Sequence, residues 1–213
     1  MKNYILNRSQ KKILADLVFL KRYGFYLAGG TALAIQLGHR NSKDLDFYTA
    51  KHFDSGELIK DFKKTFGELD EVSEAPDTLF VTFEQVELSF FRYPYKLIRP
   101  TIDYQTVELA SSEDIAAMKM TAVRERGVKR DFIDIYFLIK RFGLKEILGL
   151  TQEKYPDDFN EQNYLDGLIY FVDADRPQKN GRRIYFYTNI SWLEIKKGIE
   201  KAVKEYQLGL INK

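Results

Sequence analysis

Asp44 and Asp46 bracket Leu45, and the pair Gly29-Gly30 ends fourteen residues before the first of them. Alternate residues of a β-strand point to one face, so on a strand the two carboxylates project together while Leu45 turns into the core. Like charges that close call for a counterion. Mg²⁺ suits them, because it is a hard cation that takes oxygen ligands and completes its shell with water and substrate phosphates. Two such ions ~3.5 to 4 Å apart hold the attacking and leaving oxygens of an in-line phosphoryl displacement. The glycines fit the same chemistry: without side chains they let phosphate oxygens approach backbone N–H groups at a helix start, and Thr31 adds a hydroxyl. Each fragment alone reads more readily as a tight strand-to-helix turn or a solvated strand end. In one strand–helix–strand order they point to a metal-dependent phosphate site.

The elements that position these residues follow from patterning. "RSQKKILADLVFLKRYG" has helical apolar spacing, with Ser9 as cap and Gly24 as stop. Strand "FYLA", the glycine turn, helix "TALAIQLG", loop "HRNSK" and strand "DLDFYTA" come next. "DSGELIKDFKKTFG" reads as a helix with Ile59, Phe62 and Phe66 on one side, and "LFVTFEQVELSFFRYPY" as two strands meeting near Glu84-Gln85. "RPTIDYQTVELAS" reads as a connection. Ser111 and Asp114 form a capping box for "EDIAAMKMTAVRER", "KRDFIDIYFLIKRFG" starts another helix, and Ser191 with Glu194 caps the last one, striped by Trp192, Ile195, Ile199, Val203 and Tyr206. Strands dominate early and helices late, with a boundary near residue 110: a core over 1–110 and a mainly helical lobe over 111–213.

Composition narrows the function classes. The 213 residues support a substantial core. A formal charge of +2 gives no global steering toward nucleic acid or membrane, so any such contact needs a local patch. With no cysteine and only His39 and His52, neither a disulfide framework nor a zinc site is expected. No apolar run is long enough to cross a bilayer and the start lacks a signal-peptide pattern, which makes the cytoplasm the expected location.

A second charged element lies in "MKMTAVRERGVKRDFIDIYFL". On a helix Lys119, Val123 and Arg126 share a face and present two cations toward a polyphosphate. On the next helix Asp131 and Asp134 share a face, where they orient Lys119 or Arg130, bind an acceptor or act as a general base. The plainer alternative is a surface salt-bridge cluster linking the two helices. In the loop before Asp44, Arg40 suits a phosphate or steadies the aspartates, His39 reads as structural and Ser42 as a loop cap. The alternating aromatics read as core packing. Lys179 with Arg182-Arg183 reads as an exposed turn or an RNA-backbone contact.

"LAGGTALAIQLGHRNSKDLDF" resembles the first motif of the AbiEii/AbiGii toxin family of the nucleotidyltransferase superfamily, and Lys119, Arg126, Lys129, Arg130, Asp131 and Asp134 match its second element. The resemblance spans about residues 25–140. It implies an α+β fold with a nucleotidyltransferase-like mixed sheet flanked by helices and a mainly helical C-terminal lobe. It also implies transfer of a nucleoside monophosphate from a nucleoside triphosphate to an acceptor hydroxyl. Relatives are toxins of abortive-infection toxin–antitoxin pairs beside a transcriptional-regulator antitoxin, some with the tRNA 3′ end as acceptor. Carried over, Gly29, Gly30 and Thr31 touch phosphates with Arg40, Ser42, Arg126 and Lys129 nearby, Asp44 and Asp46 hold Mg²⁺, Lys119 meets the triphosphate, and Asp131 or Asp134 completes the site.

The chain departs from the superfamily pattern at Ser89, where a third metal carboxylate is expected. Glu87, on Ser89's face of the strand, is the substitute with the longer reach, and Glu84 is a more distant one. Two other classes stay open. One is a catalytically degenerate nucleotide- or partner-binding protein of the same fold, and the other is a glycosyltransferase using Asp-x-Asp for a nucleotide sugar.

Overall fold

The computed structural model describes residues 1–176, 185–187 and 189–211. Its contacts divide into two compact units, Met1–Ser111 and Ser112–Lys213.

The first unit is built on one mixed sheet. Its strands are β1 (Tyr26–Leu27), β2 (Leu45–Thr49), β3 (Glu71–Ala75), β4 (Thr78–Phe83), β5 (Val86–Arg92), β6 (Ile102–Tyr104) and β7 (Val107–Leu109), in the spatial order β3-β4-β5-β2-β1-β7-β6. β1 runs antiparallel to β2 and parallel to β7, and β2 runs parallel to β5. The aromatic pair of strands does meet at Glu84-Gln85, both with positive φ (47° and 61°), in the left-handed conformation that a tight two-residue hairpin requires. The "connection" 99–111 is instead the β6–β7 hairpin. Its three-residue strands are too short to show alternation, and Gln105, at φ 53°, turns the chain between them.

Three α-helices accompany the sheet: α1 (Arg8–Asp16), α2 (Gly29–Leu37) and α3 (Ser55–Phe66), with 3-10 turns at Asn3–Ile5 and Val18–Tyr23. The first helix differs from expectation at both ends. Asn7, not Ser9, is its cap: Gln10 N–H donates to Asn7 Oδ1 at 2.8 Å while Asn7 N–H donates to Gln10 Oε1 at 3.0 Å. At the other end the helix stops at Asp16, and the chain tightens into the 3-10 turn, closed by Gly24 in the left-handed region.

Register assigns each sheet residue to a face. Leu27, Phe47, Phe90 and Leu79 lie in one row across β1, β2, β5 and β4, and all are fully buried. Phe90 is the hub of that core, with its ring 5.1 Å from Phe47, 5.2 Å from Phe25 and 5.4 Å from Phe62 of α3. On α3 the fully buried residues are Leu58 and Phe62, while Ile59 and Phe66 are half-buried. The opposite face carries Asp46, Ser89 and Phe80 in one row and Tyr26, Tyr48 and Phe91 in the next. The aromatics are thus not all core. Phe80 and Tyr95 are exposed and Tyr48, Phe91 and Tyr93 half-buried, because consecutive strand residues face opposite ways and Phe90-Phe91 straddles the sheet.

The second unit is helical: α4 (Ser112–Glu125), α5 (Lys129–Phe142), α6 (Leu144–Lys154), α7 (Glu161–Ile169), α8 (Val172–Asp175) and α9 (Trp192–Ile211). Asp114 is buried and accepts from Lys154 of α6 at 2.8 Å. The Ser191–Glu194 box is present, with Glu194 N–H donating to Ser191 Oγ at 3.2 Å and Ser191 N–H to Glu194 Oε2 at 2.8 Å. Ile195, Ile199 and Val203 form the buried stripe of α9. Lys179, Arg182 and Arg183 lie outside the described residues.

The face assignment makes a stability prediction. Phe90→Ala should cost about 3 to 5 kcal/mol in urea unfolding, whereas Phe80→Ala, on the other face, should stay within about 0.5 kcal/mol. Equal losses would contradict the assignment.

Candidate active site

The site is assembled at the junction of β1, α2 and the segment entering β2. Ala28 N–H donates to Asp46 O at 2.9 Å, so the chain reaches the glycine turn while still paired to the strand that carries the aspartates. Gly29 then takes φ 63°, in the left-handed region, and opens α2. A Cβ there would lie 2.8 Å from Asp46 Oδ2, so glycine is needed for space as well as for conformation. At Gly30 the neighbour is Arg40: its guanidinium Nη2 occupies the place of a Cβ, with Cζ at 3.3 Å and Ser42 Oγ at 3.4 Å. The first N–H groups of a helix have no acceptor within it, and α2 presents those of Gly29, Gly30 and Thr31 beside an acidic and a basic side chain.

The loop that delivers the aspartates is tied at several points. Thr31, fully buried, donates its hydroxyl to the Asp44 carbonyl, and its oxygen lies 2.8 Å from Ser42 Oγ. From α1, buried Gln10 donates through Nε2 to the carbonyls of Ser42 (3.1 Å) and Lys43 (2.9 Å). Arg40 is buried and donates to Asn41 O at 2.8 Å, and His39 is buried too. The expected loop residues therefore sit together. Gln10 was not anticipated, since thirty-odd positions and a helix separate it from its acceptors, and only its polarity amid an apolar helix face hints at a role.

Asp44 lies one residue before β2 and Asp46 within it. Both are half-buried, while Leu45 and Phe47 between and beyond them are fully buried, so the pair shares the face turned away from the core. The β2–β5 register sets Asp46 beside Ser89 and, continued one residue back, Asp44 beside Glu87. Glu87 is exposed on the same face; Glu84 instead bonds Lys12 at 2.6 Å at the hairpin turn. Among the described residues no three His, Cys, Asp or Glu side chains gather into a metal cage. A carboxylate pair without a third protein ligand fits a cation that takes its remaining oxygens from a polyphosphate and water, and fits poorly a cation held by protein alone.

The second charged element is a buried ion cluster within the helical unit. Lys119 Nζ lies 2.8 Å from Asp131 Oδ1 and 2.7 Å from Asp134 Oδ2, and both carboxylates are fully buried. Arg126, in the turn after α4, donates through Nε and Nη2 to Asp131 at 2.8 and 3.1 Å. Burial pushes the Asp131 carboxyl up, but the Lys119 charge and the Arg126 bonds outweigh it and hold the group below its ordinary 3.8. An ammonium has three donors and these contacts use two. Lys119 and Arg126 do turn to one side, where both meet the Asp131 carboxylate. Lys129 is turned elsewhere, its Nζ 4.9 Å from the Trp192 ring centroid.

The family model described as nucleotidyl transferase AbiEii toxin of a type IV toxin–antitoxin system matches residues 12–183. The chain belongs to the AbiEii nucleotidyltransferase toxin family. It is 35% identical over 209 residues to an uncharacterized protein of Aquifex aeolicus, spanning 94% of this chain and 97% of that one. Two solved structures share the fold. MenT4, a nucleotidyltransferase toxin of Mycobacterium tuberculosis, superposes with a TM-score of 0.59 at 17% identity over 92% of this chain and 80% of its own. JHP933 of Helicobacter pylori superposes at 0.55 and 20% over 97% and 98%. As a member of the AbiEii family the protein is a nucleotidyltransferase, and no helix among the described residues is long and apolar enough to cross a membrane.

Two outcomes follow from the geometry. Gly29→Ala should cost roughly 1 to 2 kcal/mol for the left-handed backbone, and should displace the Asp46 carboxylate; unchanged stability and an unchanged Asp46 position in a crystal structure of the variant would contradict the close approach. Asp131, with a lowered folded pKa, contributes stability that is full above the ordinary aspartate value and is lost as pH falls through the lowered one, below 3.8. Lys119→Met strands two buried carboxylates, so acid unfolding should begin at higher pH and neutral-pH stability should drop on the order of 3 kcal/mol.

Proposed function

We propose that the protein transfers a nucleoside monophosphate from a nucleoside triphosphate to an acceptor hydroxyl with Mg²⁺ on Asp44 and Asp46. The observation that carries this reading is the contact between the two halves of the motif: the Asp46 carboxylate lies against Gly29, at the N–H end of α2. Gly29, Gly30 and Thr31 receive the phosphate oxygens through their backbone N–H groups, where the helix dipole favours negative charge. Arg40 and Ser42, packed on Gly30, hold the turn open and keep Asp44 in place. The cation, when bound, neutralises the phosphates and stabilises charge on the attacking and leaving oxygens. The acceptor oxygen bonds the α-phosphorus as the bond to the pyrophosphate oxygen breaks. Pyrophosphate leaves with that electron pair, and the hydroxyl proton passes to water. In the helical unit, Asp131 and Asp134 are positioning residues that fix Lys119 and leave it one N–H for an anion.

Ser89 beside Asp46 sets a further property. With no carboxylate there, a second cation is held weakly, and activity requires a high Mg²⁺ concentration. In the cell the acceptor we propose is the 3′ end of tRNA and the location the cytoplasm; the family's toxin–antitoxin description supports an antitoxin as the regulator.

The test is transfer of label from each α-labelled nucleoside triphosphate to total tRNA with Mg²⁺. Asp46→Asn should lower transfer about a hundredfold or more, since even outer-shell changes at metal sites cost 10- to 100-fold. Ser89→Asp should lower the Mg²⁺ concentration at half-maximal rate. Full activity in Asp46→Asn, or in EDTA, would remove the cation from the reading. Label on another acceptor would move only the acceptor.

A further inference from the structure

The sheet face that carries Asp46 continues into a run of aromatic rings. Tyr48, two residues past Asp46 on β2, packs on Tyr26 of β1 (centroids 6.3 Å, stacked), on Phe91 of β5 (5.5 Å) and on Tyr93 (5.4 Å, edge to face). Tyr93 in turn contacts Tyr95 at 4.9 Å. Tyr93 N–H donates to Thr49 O at 2.7 Å, which extends the β2–β5 pairing one residue and carries the rings along the same side. Apart from Tyr26, which is buried, these rings are not sealed in: Tyr48, Phe91 and Tyr93 are half-buried and Tyr95 is 42% exposed. Pro94 between the two tyrosines fixes its own φ and biases Tyr93 toward extended backbone, which presents them without much freedom to lose on binding.

Charge along this part of the chain is sharply segregated. Residues 65–91 hold seven acidic side chains and no basic one, whereas residues 92–102 hold Arg92, Lys96 and Arg99 and no acidic one. Arg92 lies 3.8 Å from Asp77, and Lys96 and Arg99, both exposed, come immediately after the tyrosines, with Arg99 donating to Ile98 O at 2.9 Å. Aromatic rings followed by exposed cations form the combination that binds unpaired bases by stacking and their backbone by charge.

We propose that this face is the binding platform for a single-stranded nucleic acid, its unpaired bases stacked on Tyr48, Tyr93 and Tyr95 and its phosphates met by Lys96 and Arg99; the assignment of that strand as acceptor rests on the nucleotidyl-transfer reading above. The run of rings from Tyr48 through Tyr93 to Tyr95, with buried Tyr26 packed against Tyr48, offers more surface than one base covers. The run also leads away from the Gly29-Gly30 turn, where the triphosphate is placed. A strand lying on it brings its end toward the aspartates with the body of the strand on the rings. The single charge excess of +2 does not reveal such a site, because the acidic stretch that precedes the basic one cancels it.

The experiment is fluorescence anisotropy of a labelled twelve-nucleotide single-stranded RNA against the protein in EDTA, without nucleoside triphosphate, beside a separate titration with each triphosphate. Tyr93→Ala and Tyr95→Ala should each weaken RNA binding about fivefold or more, and leave triphosphate affinity unchanged. Tyr95→Phe keeps the ring and should bind like wild type. Tyr170→Ala, an exposed aromatic of the helical unit, should do the same. The same sequence presented as a duplex should bind more weakly than the single strand. The proposal is overturned if the wild type binds no single strand, if Tyr95→Phe loses as much as Tyr95→Ala, or if triphosphate affinity falls in place of RNA affinity. Because binding is read in EDTA, loss of transfer in Asp46→Asn and loss of RNA binding in Tyr95→Ala are independent, and either reading can fail alone.

Discussion

A backbone without a side chain at residue 29 is what the candidate site depends on. The chain must leave β1, reverse into α2 and present its first N–H groups within reach of a carboxylate on the adjacent strand, β2. Gly29 allows this twice over, by adopting φ 63° and by ceding to Asp46 the space of a Cβ. Arg40 repeats the arrangement at Gly30 with the opposite charge. An anion-accepting helix end and a cation-accepting carboxylate are thereby held side by side, which is the electrostatic requirement for gripping a metal–polyphosphate complex. Thr31, Ser42 and Gln10 then serve to keep the connecting loop from drifting, each through a bond to backbone or hydroxyl near Asp44.

The helical unit solves a different problem. Its two buried ion clusters, Lys119 with Asp131 and Asp134 and Lys154 with Asp114, tie α4 to α5 and to α6. Buried pairs of this kind add little over an apolar core of equal volume, but removing one partner is costly. They therefore act more as fixed geometry than as a source of stability. Asp131 stays ionised because three bonds from cations offset its burial, and Lys119 is held in one place as a result.

Much of this could be read from the chain before any coordinates. The glycine pair and the two aspartates carry their geometry in their spacing, since a strand's alternation and a turn's need for glycine are local rules. The Asp131–Asp134–Lys119 grouping was likewise visible through helical spacing. What local rules do not reach are partners far apart in sequence: Gln10 with the carbonyls at 42 and 43, Lys154 with Asp114, and Ser89 set beside Asp46 by strand register. The β6–β7 hairpin escaped because three-residue strands carry no periodicity. The aromatics were misassigned for a related reason: alternation says that neighbours face opposite ways, but which face meets α3 and which meets solvent is decided by the sheet order.

The central claim is that Asp44 and Asp46 hold a divalent cation against the glycine turn, and paramagnetic broadening tests it without reference to any acceptor. Titrating Mn²⁺ into isotope-labelled protein should broaden the backbone resonances of Gly29, Gly30, Thr31 and Asp46 first, and Asp46→Asn should abolish that pattern. Broadening that begins elsewhere, or that survives the substitution, would contradict the account.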